Sequence, residues 1–419
     1  RIESAACLSI KEEFFNDISP KQTPDFGLKQ FGCIIECIRK SGKTVRLGLL
    51  LPLSFVFASI CCGAASAGSS GERKFYYPNT EPLGEAEMRV ISLGTGTPNF
   101  RHSQASASWL VELGNGDKFL FDVGTGSLAN LAALEIPYTY LDKVFISHLH
   151  VDHIGDLDAL FVGGWVSNRT VPLRVWGPSG LEPEYGTATA MDGLQKMLAW
   201  DVAGRRGNMP SAGGHLSVTE FDYSRTQVVY ESDGVVIRSW PAIHGIDGSV
   251  SYSLEWKGLK FVYSGDTNPN KWFVENAKEA DLVIHECYLT IQQFIDIKNY
   301  DPERARLVAT VVHTPPNACG KLFSMIEPRH AIAYHTFADF DIAPDTIAAI
   351  RKTYDGPLTL ARDMLVWNVS EDAVGVREIV GSDNPLPVDP PTPAGPPDPS
   401  ERTELSDWLN SGRLDLSGD

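Results

Sequence analysis

The chain has 419 residues, 43 % of them hydrophobic and 21 % charged, with a formal net charge of −17. That composition describes a well-cored globular protein of one large domain or two ordinary ones. The negative balance disfavours a surface built to neutralise many phosphates, because polyanion binding draws its affinity from Lys and Arg displacing counterions.

Residues 1–67 do not read as part of the fold. Arg39, Lys40, Lys43 and Arg46 precede the apolar run Leu47 to Ile60, and Ala65-Ser66-Ala67 supplies small residues for signal-peptidase cleavage. The run is short for a membrane span, so the expectation is an exported, periplasmic or secreted protein with no stable membrane anchor. The first methionine is Met88, and a start there would make the protein cytoplasmic. Residues 1–67 hold Cys7, Cys33, Cys37, Cys61 and Cys62, which leaves only Cys287 and Cys319 and so no disulfide framework. They also carry eight basic and six acidic residues, so the 28 basic and 47 acidic residues that follow make the rest of the chain more acidic still. Residues 68–87 read as an extension ahead of the domain.

From Met88 short apolar runs alternate with turn residues. Met88 to Gly94 reads as a strand, followed by the loop GTGTPNFRHSQ. Ser108 to Leu113 and Lys118 to Gly124 read as a hairpin across Gly114-Asn115-Gly116-Asp117. LANLAALEI suits a helix, and Lys143 to Ser147 is a fourth strand. Leu173 to Gly177 and Val235 to His244 are further strands. Ser251 to Trp256 and Leu259 to Thr267 form a second hairpin across Lys257-Gly258. Helices are expected over Glu182 to Trp200, Pro269 to Ala280, Pro316 to Ile326 and Pro344 to Tyr354, alternating late in the chain with the strands Asp281 to Glu286 and Ala331 to His335. Hairpins mixed with β-α-β units point to two sheets enclosed by helices, within 88–383. Residues 384–419 form a Pro-rich acidic tail, with eight prolines before Glu401, that reads as a semi-rigid extended linker without a core.

Three of the ten histidines fall in FISHLHVDHIGDLDAL, directly after the fourth strand. His148, His150, Asp152 and His153 place four ligand-type side chains in six residues, on a loop that a buried strand end holds rigid. A lone histidine is usually core or surface; this clustering reads as metal ligation. Four residues are too few for two coordination spheres, and His244, Asp266 and His335 close three other apolar strands. His102, His215 and His330 have no such company. GTGTPN lacks the GK[ST] of a phosphate loop, Ser179 lacks a G-x-S-x-G frame, and HExxH is absent.

HLHVDH resembles the HxHxDH signature of the metallo-β-lactamase fold, an αββα four-layer sandwich of the α/β class. The likeness extends from Met88 to Trp367 through the GTGTP loop, FDVGTG, GDT, HE and the late YH, and this order resembles the ribonuclease Z and arylsulfatase-like branch. The resemblance implies that His148, His150 and His244 bind one divalent ion, that Asp152, His153 and His335 bind a second, and that Asp266 bridges both. The ions would be zinc, with manganese or iron also suited to such ligands, and a metal-bridging hydroxide would be the nucleophile. Class B β-lactamases usually carry cysteine where this chain has Asp266, which weakens an antibiotic-hydrolysis reading. The resemblance gives Asp152 and His313 catalytic roles, His313 in proton donation or transition-state hydrogen bonding, with a helix-start role as its alternative, and makes His285 and Glu286 supports that orient a ligand histidine. The expected reaction is ester cleavage, of a phosphodiester or sulfate ester. Lactone or amide hydrolysis, a tRNA 3′-end endoribonuclease if cytosolic, and a non-catalytic metal-binding module are the alternatives. No Lys-rich arm for gripping tRNA is visible, so a small-molecule ester is the expected substrate, nucleic acid is disfavoured, and a homodimer is possible.

Overall fold

The computed structural model describes residues 73–339, 341–391 and 395–416. The proposed leader and its five cysteines lie outside them. Among the described residues the strands assemble into two sheets. The first runs, in spatial order, β1 (Phe75–Tyr76), β16 (Val374–Ile379), β15 (Leu365–Val369), β2 (Met88–Gly94), β3 (Ser108–Leu113), β4 (Lys118–Phe121), β5 (Lys143–Phe145), β6 (Leu173–Pro178) and β7 (Leu216–Phe221). The second runs β14 (Leu358–Leu360), β13 (His330–Tyr334), β12 (Leu282–Glu286), β11 (Leu259–Tyr263), β10 (Val250–Trp256), β9 (Val235–Pro241) and β8 (Gln227–Ser232).

The alternation of side chains along each strand decides how these sheets stack. On β3, Trp109, Val111 and Leu113 join Phe121, Phe145 and Trp367 in one cluster with Tyr252, Leu254, Phe261, Tyr263 and Tyr334 of the other sheet. The intervening Leu110 faces the opposite way and packs with Leu131, Leu160, Trp165 and Met191 from the helical layer. On the far side of the second sheet, Val262, Val283 and Ala333 meet Phe273 of helix Lys271–Asn276, with Cys319 and Phe323 of helix Pro316–Ile326 and Ile350 of helix Ala343–Ile350. Helices therefore cover both outer faces, giving the expected αββα sandwich. Because both faces of each sheet are covered, β3 is buried at all six positions, and a strand of this kind reads as a continuous apolar run.

The expected helix over Glu182 to Trp200 is interrupted. A 3-10 turn at Pro183–Tyr185 precedes helix Thr187–Met197, and a second helix follows at Ala199–Arg205. The tail is extended but not free of contacts. Asn168 Nδ2 donates to Asp389 at 3.0 Å and Ser211 Oγ to Glu401 at 2.7 Å, so it lies along residues 165–211. Gly207, at φ 72°, backs onto Arg402 so closely that a Cβ there would collide with its backbone. No described helix is long and apolar enough to cross a membrane.

What the fold does for function is bring strand ends together. The loops after β4, β5, β9, β11, β12 and β13 open onto one edge of the sandwich, and those loops carry the residues that the sequence singles out.

Candidate metal centre

The turn after β5 leaves the strand at Phe145 and begins a short helix at Val151–Ile154, so His148 and His150 precede the helix while Asp152 and His153 lie inside its first turn. The GDT turn after β11 closes on it from the second sheet. Gly265, in left-handed backbone at φ 58°, sits where a Cβ would be 2.6 Å from that of Ser147. Only glycine allows this approach, and it delivers Asp266 to the histidines.

Three overlapping groups of ligand atoms result, and Asp266 belongs to all of them; the third joins His244 and Asp266 to Glu286 and His313. In the first, His148 Nε2 is 3.0 Å from His150 Nδ1, His244 Nε2 is 3.1 Å from the same atom, and His244 Nε2 is 3.7 Å from Asp266 Oδ2. In the second, His335 Nε2 is 3.1 Å from both Asp152 Oδ2 and Asp266 Oδ2, while His153 Nε2 is 3.3 Å from Asp266 Oδ1 and 3.6 Å from Asp152 Oδ2. Zinc–nitrogen bonds of about 2.0–2.1 Å at tetrahedral angles set neighbouring ligand atoms about 3.3 Å apart, so these spacings suit a shared ion. His153 Nε2 and Asp266 Oδ1 are buried without a hydrogen-bond partner although they face each other. Buried polar atoms in native proteins are ordinarily satisfied, and a cation would satisfy this pair. His150 is the exposed member of the set and marks the mouth.

Electrostatics prepare the ligands unequally. Burial, then neighbouring His153 and His244, holds His148 well below the usual histidine range, and burial lowers His244 to about 4, so both present neutral imidazoles. Burial also opposes charge on His153, but the carboxylates of Asp266, Asp152 and Asp122 override it and raise that histidine well above its ordinary value. Burial would raise Asp266, yet His335 and His153 outweigh it and keep the carboxyl well below the carboxylate range.

The ligand set rests on a second layer that the sequence only partly discloses. Asp122, at the end of β4, lies 2.6 Å from His153 Nδ1 and accepts from Ser147 N, Ser147 Oγ and Tyr263 Oη, each at 2.7 Å. It fixes the histidine with Nε2 turned toward Asp266, as carboxylates do for metal-binding imidazoles. Sequence reasoning missed this role, although FDVGTG, which contains Asp122, carries the family likeness. Asp122 and His335 both adopt left-handed backbone, at φ 58° and 61°, an unusual conformation for residues other than glycine. His335 N donates to Thr95 O at 3.0 Å, and Asp363 in turn braces Thr95 through its N and Oγ1. Burial pushes the Asp363 carboxyl up to about 6.

The two expected supports behave differently. Glu286 is buried, accepts from Thr267 N at 2.6 Å and pairs with His313 Nδ1 at 3.0 Å. It therefore orients His313, not a ligand histidine. Burial would lower His313, but the Glu286 carboxylate outweighs it and raises its pKa, which favours a protonated ring beside His244. His285 corrects the expectation further. Its Nδ1 bonds Glu286 O at 2.7 Å and its ring packs edge-on to Phe273 and Phe323, because position 285 on β12 points into the helical layer. Tyr288, also unremarked in the sequence, sets its ring edge-on to both His313 and His335, with centroids 4.8 and 5.2 Å apart. His330 is a half-buried strand residue bonded to Thr359 Oγ1 at 2.8 Å, away from the centre.

Known proteins resemble this chain in sequence and fold. A family model described as anti-Pycsar protein Apyc1 matches residues 88–183. A ribonuclease Z of Mycobacterium marinum is 30 % identical over 223 residues, covering 52 % of this chain and 76 % of that protein. A ribonuclease Z of Mycobacterium avium is 31 % identical over 234 residues, covering 53 % and 81 %. The chain belongs to the ribonuclease Z-like branch of the metallo-β-lactamase-fold hydrolases. The fold agrees: the metallo-β-lactamase fold protein YhfI of Bacillus subtilis superposes with a TM-score of 0.51 at 18 % identity, over 68 % of this chain and all of that one. The short form of human tRNase Z superposes at 0.50 and 20 % identity, over 66 % and 98 %. As a member of this branch the protein is a metal-dependent hydrolase, and its clustered imidazoles and carboxylates suit divalent ions such as zinc.

Proposed function

We propose that the protein is a dinuclear metal-dependent phosphodiester hydrolase. His148, His150 and His244 would hold one ion, Asp152, His153 and His335 the other, and Asp266 both. The observation that carries this reading is the sharing of Asp266 between two ligand groups: two dications close together repel, and a buried carboxylate with two oxygens is the side chain that offsets it. Bound ions would supply a water nucleophile at neutral pH and electrophilic pull on the scissile bond. The remaining work falls to this chain's residues. Asp152 would serve as a ligand and a local negative charge beside Asp266 and His335. His313, paired with Glu286, stands over His244 and His335 and donates a proton to the departing oxygen. Asp122, Thr95 and Asp363 fix His153 and His335, so the ligand set need not reorganise during the reaction.

Phosphodiester is favoured over sulfate ester, lactone or amide because the curated relatives are named ribonuclease Z. A small ester is favoured over RNA because of the net charge of −17. Residues 1–67 are proposed to direct export, on their basic run, apolar segment and Ala65-Ser66-Ala67, and N-terminal sequencing of the mature protein tests this. The function is tested by turnover of bis-p-nitrophenyl phosphate, p-nitrophenyl sulfate and a chromogenic lactone by metal-loaded protein. Turnover of the phosphodiester that chelator abolishes is expected; a preference for either other ester overturns the substrate class, and activity that survives chelator overturns the metal reading.

A further inference from the structure

Large apolar side chains scattered singly over a surface need no explanation, but five here are grouped by the backbone around the mouth of the metal centre. Val151 lies between His150 and Asp152 and is 56 % exposed; Ile243 and Ile246 flank His244 at 45 % and 66 %. Val311, 58 % exposed, stands two residues before His313. These last two segments are joined, since His244 Nδ1 bonds Val312 O at 3.0 Å and Asn268, whose N donates to Ile243 O, also donates to Thr310 O and His313 O. On the His335 side, Phe100 is 80 % exposed at the tip of the loop that Thr95 O and Gln104 tie to His335 and Thr336. Two neighbouring cations are engaged within the fold, Lys298 through its Nζ on Asn99 Oδ1 and over the Phe337 ring. Arg101 is paired with Asp339 at 2.7 Å and lies over the Phe337 ring at 4.7 Å.

We propose that Phe100, Val151, Ile243, Ile246 and Val311 form a nonpolar collar that binds an alkyl or aromatic group of the substrate, making the preferred substrate an apolar phosphodiester and not a polynucleotide. This rests on the hydrolase reading above. In the reaction, water adds its oxygen to phosphorus as one P–O ester bond breaks, and the departing alkoxide or phenolate takes the proton, giving a phosphate monoester and an apolar alcohol or phenol. Continuity with the metal centre is what assigns the collar to substrate: four of its members lie within two residues of a candidate ligand or of His313, on the side where His150 is exposed.

Burying a methylene contributes about 0.8 kcal/mol, or roughly a fourfold gain in affinity when burial is complete. Alkylphosphonates from methyl to hexyl, titrated calorimetrically into zinc-loaded full-length protein, should gain about two- to fourfold in affinity per methylene over the first few carbons. KM for p-nitrophenyl alkyl phosphates should fall in parallel. The F100S/I246S double variant should retain its metal and its fold by circular dichroism while the hexyl-to-methyl ratio drops at least tenfold. A flat phosphonate series with phosphodiester turnover intact overturns the collar alone, and a steep series without turnover overturns the phosphodiester reading alone. Tight self-association that I246E abolishes would show the collar to be an interface between copies and would also overturn the proposal.

Discussion

The replacement Asp122→Asn isolates the layer behind the ligands. Asp122 makes four contacts of 2.6–2.7 Å, three of them accepted from Ser147 and Tyr263 and one to His153 Nδ1. Asparagine is nearly isosteric, tolerates the left-handed backbone at φ 58°, and keeps one acceptor oxygen, so it adds no cavity and little strain. It removes the charge that holds a proton on Nδ1 and turns Nε2 outward as the lone-pair donor. Loss of such a partner costs about 10–100-fold in metal affinity or activity, and a buried donor left unmatched costs about 1–3 kcal/mol of stability. The expected phenotype is one ion bound normally and a second bound 10–100-fold more weakly, with a melting temperature lowered by a few degrees. Zinc titration against a chromogenic chelator, with thermal unfolding of the metal-free protein as control, reads both. If the variant binds both ions as tightly as the wild type, Asp122 does not orient His153 and the second layer has been misassigned.

The other predictions concern separate parts of the site and core. His313→Gln keeps a hydrogen bond to Glu286 but cannot give up a proton, so kcat should fall about 10²–10⁴-fold with metal content unchanged. Because Glu286 raises the His313 pKa, the acid form persists to higher pH in the wild type, and the fall in rate on the alkaline side should disappear in this variant, as a pH–rate profile will show. His153 is also held protonated by surrounding carboxylates in the metal-free protein, so ion binding there must release a proton and weaken as pH falls; calorimetry in buffers of different ionisation enthalpy measures the release. Trp109→Ala, which empties a fully buried position between the sheets, should cost about 3–5 kcal/mol in denaturant unfolding.

Much of this architecture was legible because buried strands and turn chemistry speak through local sequence. The β2, β3 and β10 runs are continuous or alternating apolar segments, and Gly-containing turns separate the hairpins. The pair β7 and β8 was missed because LSVTEF and QVVYES are only half buried and carry little apolar contrast. The late strands β15 and β16 also went unassigned, although they form a local hairpin with Val369 opposite Val374; their other partners, β2 and β1, lie nearly 300 residues earlier in the chain. In the site, the seven candidate ligands were readable from residue type at strand ends. His285 was not, because HE places two polar residues on opposite faces of β12 and one sequence cannot tell which faces the metals. Asp122 and Tyr288 escaped for a related reason: their importance lies in what they touch across the fold.

The central claim is that two ions sit on either side of Asp266, and anomalous diffraction at the zinc edge from crystals of the loaded protein tests it most directly. Two peaks are expected, one among His148, His150 and His244 and the other among Asp152, His153 and His335, both lost in Asp266→Ala. A single peak, or peaks away from Asp266 in a protein that still turns over phosphodiester, would contradict it.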